Sequence, residues 1–271
     1  MNRPGALCAP GSKRYAMKFT IVFFLLCSVA ANAQLLVQSG LTHRLSVVPG
    51  ATELVPISLK NGGDEPLLCT LTLSDVVSHC DSGYRYLPAG SSDESCTAWM
   101  QLEQKEFVLA PGEERVVKVR FAAQAGYARA GARAALLVDS RTVEEEPANQ
   151  LKLRVRYAIH FHDRNPLVSG VVALHAERLE WVGERDFWGL VFQNRGNVDR
   201  VVRSHAKLLD GRGKVVYSGE SVSARGLMPN QCRTLRFPKP EVPEGVYQLV
   251  VVSETDAGER FGVTQEMRWE N

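Results

Sequence analysis

Cysteines and histidines are the residues whose type and spacing could do chemistry here. Four cysteines lie beyond residue 33: Cys69, Cys80, Cys96 and Cys232. Cys80 and Cys96 bracket a polar, Gly- and Ser-rich stretch, Asp81 to Ser95, which has little apolar surface to bury. A disulfide between them is therefore expected, and closing a loop of that size stabilises by about 3 kcal/mol in the chain-entropy account. Cys69, in an apolar strand, and Cys232, far along the chain, read as buried or idle thiols. His160 and His162 are two apart in an extended segment, so they share a face that suits a metal or a proton relay; solvated strand histidines are the commoner outcome. The His and Cys residues lack the close paired spacing of a zinc site. The sequence contains no G-x-S-x-G, no H-E-x-x-H and no phosphate-cradling G-x-x-x-x-G-K-[ST]. No catalytic residue, metal or cofactor is expected, and the chain reads as a non-enzyme.

The segment that positions the histidines is the most informative one. From Leu151 to His162, Leu151, Leu153, Val155, Tyr157, Ile159 and Phe161 alternate with Lys152, Arg154, Arg156, Ala158, His160 and His162. Strict period-2 alternation over this length predicts a strand with one apolar and one mostly cationic face. Two uses fit it. It is either a sandwich strand with its apolar face in the core or an edge strand lent to a partner by strand addition.

Elsewhere the same alternation recurs between Gly, Pro, Asn and Asp clusters, and helical periodicity is nearly absent. Strands are predicted at residues 42–48, 53–60, 67–74, 115–121, 132–139 and 151–162. In the second half they are predicted at residues 173–181, 189–194, 201–209, 215–218, 232–237, 246–254 and 262–269. Turns carry Pro49-Gly50, Asn61-Gly62-Gly63, Pro111-Gly112, Asn194-Arg-Gly-Asn197 and Asp210-Gly211, residues that supply preset or positive φ. The fold class is all-β, two tandem immunoglobulin-like sandwiches.

The 271 residues are 45% hydrophobic and 23% charged, enough for packed cores. Lys13, Arg14 and Lys18 precede the apolar run Phe19 to Ala31, and Ala31-Asn-Ala33 offers a small-x-small cleavage site. Residues 1–33 thus read as a secretory signal peptide, with Met17 as an alternative start. Lys and Arg number 32 against 30 Asp and Glu; without the four cations and no acids of that segment the balance is 28 against 30. A near-neutral chain offers no broad basic face, so no nucleic-acid partner is expected. No other run approaches the roughly 20 apolar residues of a membrane span. The polar cluster Asp163-Arg-Asn165 before Pro166 marks the boundary between a first domain, 34–165, and a second, 166–271.

Glu106-Phe-Val-Leu-Ala-Pro-Gly-Glu113 followed by Val116-Val-Lys-Val-Arg120, the strand Gly131 to Asp139, the segment Leu151 to Pro166, and Val48-Pro-Gly50 through Asn61 occur in an order and spacing that resembles the periplasmic pilus-assembly chaperones, the PapD-like proteins. The resemblance covers most of residues 40–166. It implies a chaperone that binds fimbrial or other β-rich exported subunits in the periplasm, with an outer-membrane usher as a further partner. By position Leu151, Leu153 and Val155 would be the lent side chains. The family grips the subunit's terminal carboxylate with an Arg on the first strand and a Lys on the donor strand; these positions fall on Arg44 and on His160, a departure. A neutral imidazole brings one hydrogen bond and no fixed charge, which weakens the grip or makes it pH-dependent. The alternative reading is a secreted or cell-surface structural or adhesion protein that uses its sandwiches as spacers.

Overall fold

The computed structural model describes residues 35–80, 83–143, 155–182, 187–222 and 226–269. Its strands in the first half are β1 (Leu35–Val37), β2 (Thr42–Leu45), β3 (Thr52–Asn61), β4 (Leu67–His79), β5 (Gly83–Pro88), β6 (Met100–Leu102), β7 (Glu106–Leu109), β8 (Glu114–Ala122), β9 (Gly131–Thr142) and β10 (Arg156–Arg164). The second half supplies β11 (Leu174–Val182), β12 (Phe187–Asn194), β13 (Val202–Leu209), β14 (Val215–Val222), β15 (Cys232–Pro238), β16 (Gly245–Thr255) and β17 (Arg260–Trp269).

Each half packs two sheets face to face. In the first, β1-β3-β8-β6 lies against β2-β10-β9-β4-β5, with β7 beside β4. Alternation decides which side chains enter the core. Val55, Ile57 and Leu59 of β3 and Val117, Val119 and Phe121 of β8 are buried, in a register that pairs Ile57 with Val117 and Val55 with Val119. Ile159 and Phe161 of β10 join that core. The second half packs β11-β12-β15 against β14-β13-β16-β17 around Trp188, Phe192, Phe237, Leu249 and Trp269. The two cores share no residue, and the chain is the tandem pair of immunoglobulin-like sandwiches that its periodicity predicts. Among the described residues no helix is long and apolar enough to cross a membrane; residues 1–33, read as the signal peptide, lie outside them.

The halves are joined closely. β9 is buried on both faces: Ala134, Leu136 and Val138 point into the first core, whereas Ala135 and Leu137 point out and meet Met228 of the second half together with Val76. The linker is held by Asn165, whose backbone N–H donates to Ala130 O (3.0 Å) and whose side-chain amide donates to Tyr127 O (2.8 Å). β4 runs to His79, five residues beyond the predicted strand end, and its tip lies along β15. There Thr234 N–H donates to Cys80 O (3.0 Å) and Ser78 Oγ donates to Cys232 O (3.1 Å).

That packing overturns the expected Cys80–Cys96 bridge: Cys80 is bonded to Cys232, with Cα atoms 4.8 Å apart and a sequence separation of 152. Cys96 instead faces the first core beside the short 3-10 turn Thr97–Trp99 and is fully buried, and its thiol is free. Burial pushes the Cys96 thiol pKa up, as it does that of Cys69, the latter to about 11. The stretch Asp81 to Ser95 also differs from expectation. It contains β5, which pairs with the extended end of β4.

Candidate functional site

A cleft of about 280 Å³ opens where the outer face of the first half's larger sheet meets the second half. β10 pairs with β9 along its whole length but with β2 only from His160, where His160 aligns with Thr42 and His162 with Arg44. Cα partners in adjacent strands put their side chains on the same sheet face. Arg44 and His162 therefore project together, with His160 two residues back. Tyr84 and Tyr86 of β5 reach over the same face: Tyr86 Oη lies 3.1 Å from His160 Nε2, and the Tyr84 ring centroid is 4.8 Å from that of His160. The second half contributes Arg233, whose guanidinium sits 5.2 Å above the Tyr84 ring, a cation–π geometry.

The second half also contributes Asp199. Its Oδ2 accepts from Arg44 Nη1 at 2.9 Å and lies 3.6 Å from His162 Nδ1. The turn Asn194 to Val198 places it. The Asn194 side chain is buried; its amide donates to Val198 O (2.8 Å) and Leu227 O (2.9 Å), and its Oδ1 accepts from Gly196 N–H (2.9 Å). A Cβ on Gly196 would overlap the carbonyl oxygen of Val171, so this turn admits only glycine there.

Burial holds the His162 ring below its ordinary pKa, against the pull of Asp199. Burial alone would raise the Asp199 carboxyl, but His162 and Arg44 outweigh it and leave the group below the usual carboxylate range. At neutral pH Arg44 and Asp199 therefore form a charge pair beside uncharged His162, and Arg156, paired with Asp139 at 2.7 Å, is a further cation of the lining. Deeper in, Arg133 of β9 is buried and paired with Glu94. Among the described residues no group of three or more His, Cys, Asp or Glu is placed to hold a metal ion. His160 and His162 share a face, but their neighbours are aromatic rings and Arg44–Asp199.

The edge of β10 before His160 matters as much as the side chains. His160 N–H donates to Leu41 O (2.9 Å), which fixes the side on which its main-chain groups point. Strand geometry turns those of Ala158 and Arg156 the same way, where no strand pairs with β10 among the described residues. An open strand edge thus leads into the cleft.

Arg44 and His160, named from the sequence, line this one cleft. Val155 immediately precedes β10 and is half-buried; Leu151 and Leu153 lie outside the described residues. Sequence reasoning missed Tyr84, Tyr86 and Asp199. The alternating Tyr84-Arg-Tyr86 was the available signal for β5, and Asp199 carried none beyond its place after a turn.

No family model matches the sequence, and no curated protein matches it. Solved structures do match. A chain of the chaperone–tip adhesin complex of CFA/I fimbriae biogenesis superposes with a TM-score of 0.50 at 10% identity, over 86% of this chain and 98% of that one. The class 5 fimbriae chaperone CfaA gives 0.49 at 10% identity, over 87% and 100%. The E. coli chaperone DraB gives 0.41 at 16% identity, over 88% and 98%. The fold is PapD-like.

Proposed function

We propose that this protein is a periplasmic chaperone-like factor that binds pilus subunits or other β-rich exported proteins by lending them a strand. The observation that carries the reading is the edge of β10 before His160, unpaired among the described residues, running into a cleft that holds Arg44 and His160. An incoming strand would pair with the main-chain groups of Ala158 and Arg156. Main-chain hydrogen bonds supply affinity and alternating side chains supply selectivity in strand addition. Leu151, Leu153 and Val155 are the side chains lent, and a terminal carboxylate is gripped by Arg44, with His160 as a hydrogen-bond partner. In this reading the domains divide at 165/166, residues 1–33 direct export, an outer-membrane usher receives the loaded complex, and no catalysis or cofactor is involved.

The test is to isolate the protein from the periplasm of its own host and identify co-purifying chains by mass spectrometry. Exported β-rich subunits should co-purify with it and be lost from an Arg44→Ala, His160→Ala double variant that melts like the wild type. A correctly exported protein that carries no such subunit would refute the reading.

A further inference from the structure

We propose that Asp199 is an internal stand-in for the client's terminal carboxylate: in the client-free cleft it occupies the anion position on Arg44, and a client binds by displacing it. The inference rests on the carboxylate-grip reading above and adds a competitor to it. Arg44 and Asp199 are 155 residues apart in sequence and come from different halves, yet their charged atoms meet at 2.9 Å. The Arg44 side chain is half-exposed and Asp199 more buried, and both line the cleft. Without Asp199 the Arg44 guanidinium would be left without its carboxylate in a cleft whose other cation, Arg156, is already paired with Asp139. The turn built on Asn194 and Gly196 delivers a carboxylate to that point.

Self-occupancy has a quantitative consequence. Apparent affinity falls by the fraction of protein in which Arg44 is available. A partly exposed pair of this kind competes with a client only modestly, weakening its binding by up to about fivefold. It also sets a selection rule, because only a segment that adds main-chain pairing along β10 can outcompete an intramolecular carboxylate; isolated anions cannot.

The experiment uses the full processed protein and a synthetic peptide of alternating Val and Leu residues, made with a free C-terminal carboxylate and as its C-terminal amide, with binding read by calorimetry. Wild type should prefer the free acid. Asp199→Asn, nearly isosteric, should bind the free acid measurably more tightly, by up to about fivefold, with little change for the amide, and Asp199→Glu should not tighten. Thermal melting of each variant checks that the halves remain docked; if Asp199→Asn loosens them, Asp199→Ser is measured as a second variant. Equal binding of acid and amide by wild type would sink the carboxylate grip itself. Preference for the acid in wild type, combined with unchanged or weaker binding in both neutral variants, would leave the grip standing and overturn self-occupancy, making Asp199 only an orienter of Arg44.

Discussion

Replacing Cys232 by Ser tests the joint between the two sandwiches. The Cys80–Cys232 bond closes a loop spanning 152 residues in sequence. In the chain-entropy account, a cross-link over a loop of this length removes about 17 cal/mol/K from the unfolded ensemble, or about 5 kcal/mol at room temperature. That is an upper value, because each half retains its own core when the link is cut. What remains at the joint is the burial of Met228, about 2 kcal/mol, and hydrogen bonds such as Thr234 N–H to Cys80 O and Ser78 Oγ to Cys232 O, at about 1 kcal/mol each. The covalent link therefore contributes about as much as the non-covalent contacts of its neighbourhood together. Peptide mapping under non-reducing conditions should recover a Cys80–Cys232 pair and protected, unlinked Cys69 and Cys96. Cys232→Ser should melt below the oxidised wild type by up to roughly 10–20 °C, and reduced wild type should melt with the variant. A Cys80–Cys96 pair, or a variant that melts with oxidised wild type, would refute the reasoning. Cys96→Ser serves as the control: it perturbs packing and should leave the sensitivity to reductant unchanged.

Met228→Ala should cost about 2–4 kcal/mol in chemical denaturation, since its fully buried side chain fills a pocket between Val76, Ala135 and Leu137; no loss would mean that the halves do not dock there. Acidification should destabilise the protein: His162 and Asp199 are both held below their ordinary values of 6.5 and 3.8, so the unfolded chain binds more protons and their stabilisation, complete above pH 6.5, is lost as pH falls through the folded values. Melting curves should show His162→Gln with a flatter decline between pH 6.5 and 5 than wild type; equal slopes would exclude His162 as the source. Leu153→Glu should abolish client co-purification with an unchanged melt, because a carboxylate would have to enter an apolar groove without a partner; a folded variant that still binds would defeat strand lending.

Most of the fold was legible because a β-sandwich writes itself locally. Val55-Pro-Ile-Ser-Leu59 states its inward and outward faces in five residues, and its partner Val117 to Phe121 does the same. Among the strands that were missed, β7 alternates over only four residues, and the others lack that statement. β1 and β6 are three residues each, and β5 has no buried residue among its six, so it shows no contrast between faces. β4 was read short because its end changes character: past Ser74 its outer face is covered by the second half, so Val76 and Ser78 are buried where alternation predicts exposure. The misassigned disulfide has the same origin. Asp81 to Ser95 looks like a loop in need of a staple only while the sandwich that covers its base is unknown.

The candidate site divides along a similar line. Arg44 and His160 were named through the family resemblance, and the parallel register of β2 and β10 then places them in one cleft with His162. Asp199 could not be named, because its role depends on where the second sandwich docks. That docking is fixed by contacts that are all remote in sequence: Met228 on Ala135 and Leu137, Asn230 on Glu94 at 3.3 Å, Arg133 toward Pro229 O, and Cys232 on Cys80. Sliding one half by a few ångströms would separate Arg44 from Asp199 while leaving both cores intact. The strand edge of β10 belongs to the first sandwich alone, but the charge balance at its end is a property of the joint. In the proposed strand-lending reading, the lent strand and the charge that meets the client's terminus are therefore set by different halves of the chain.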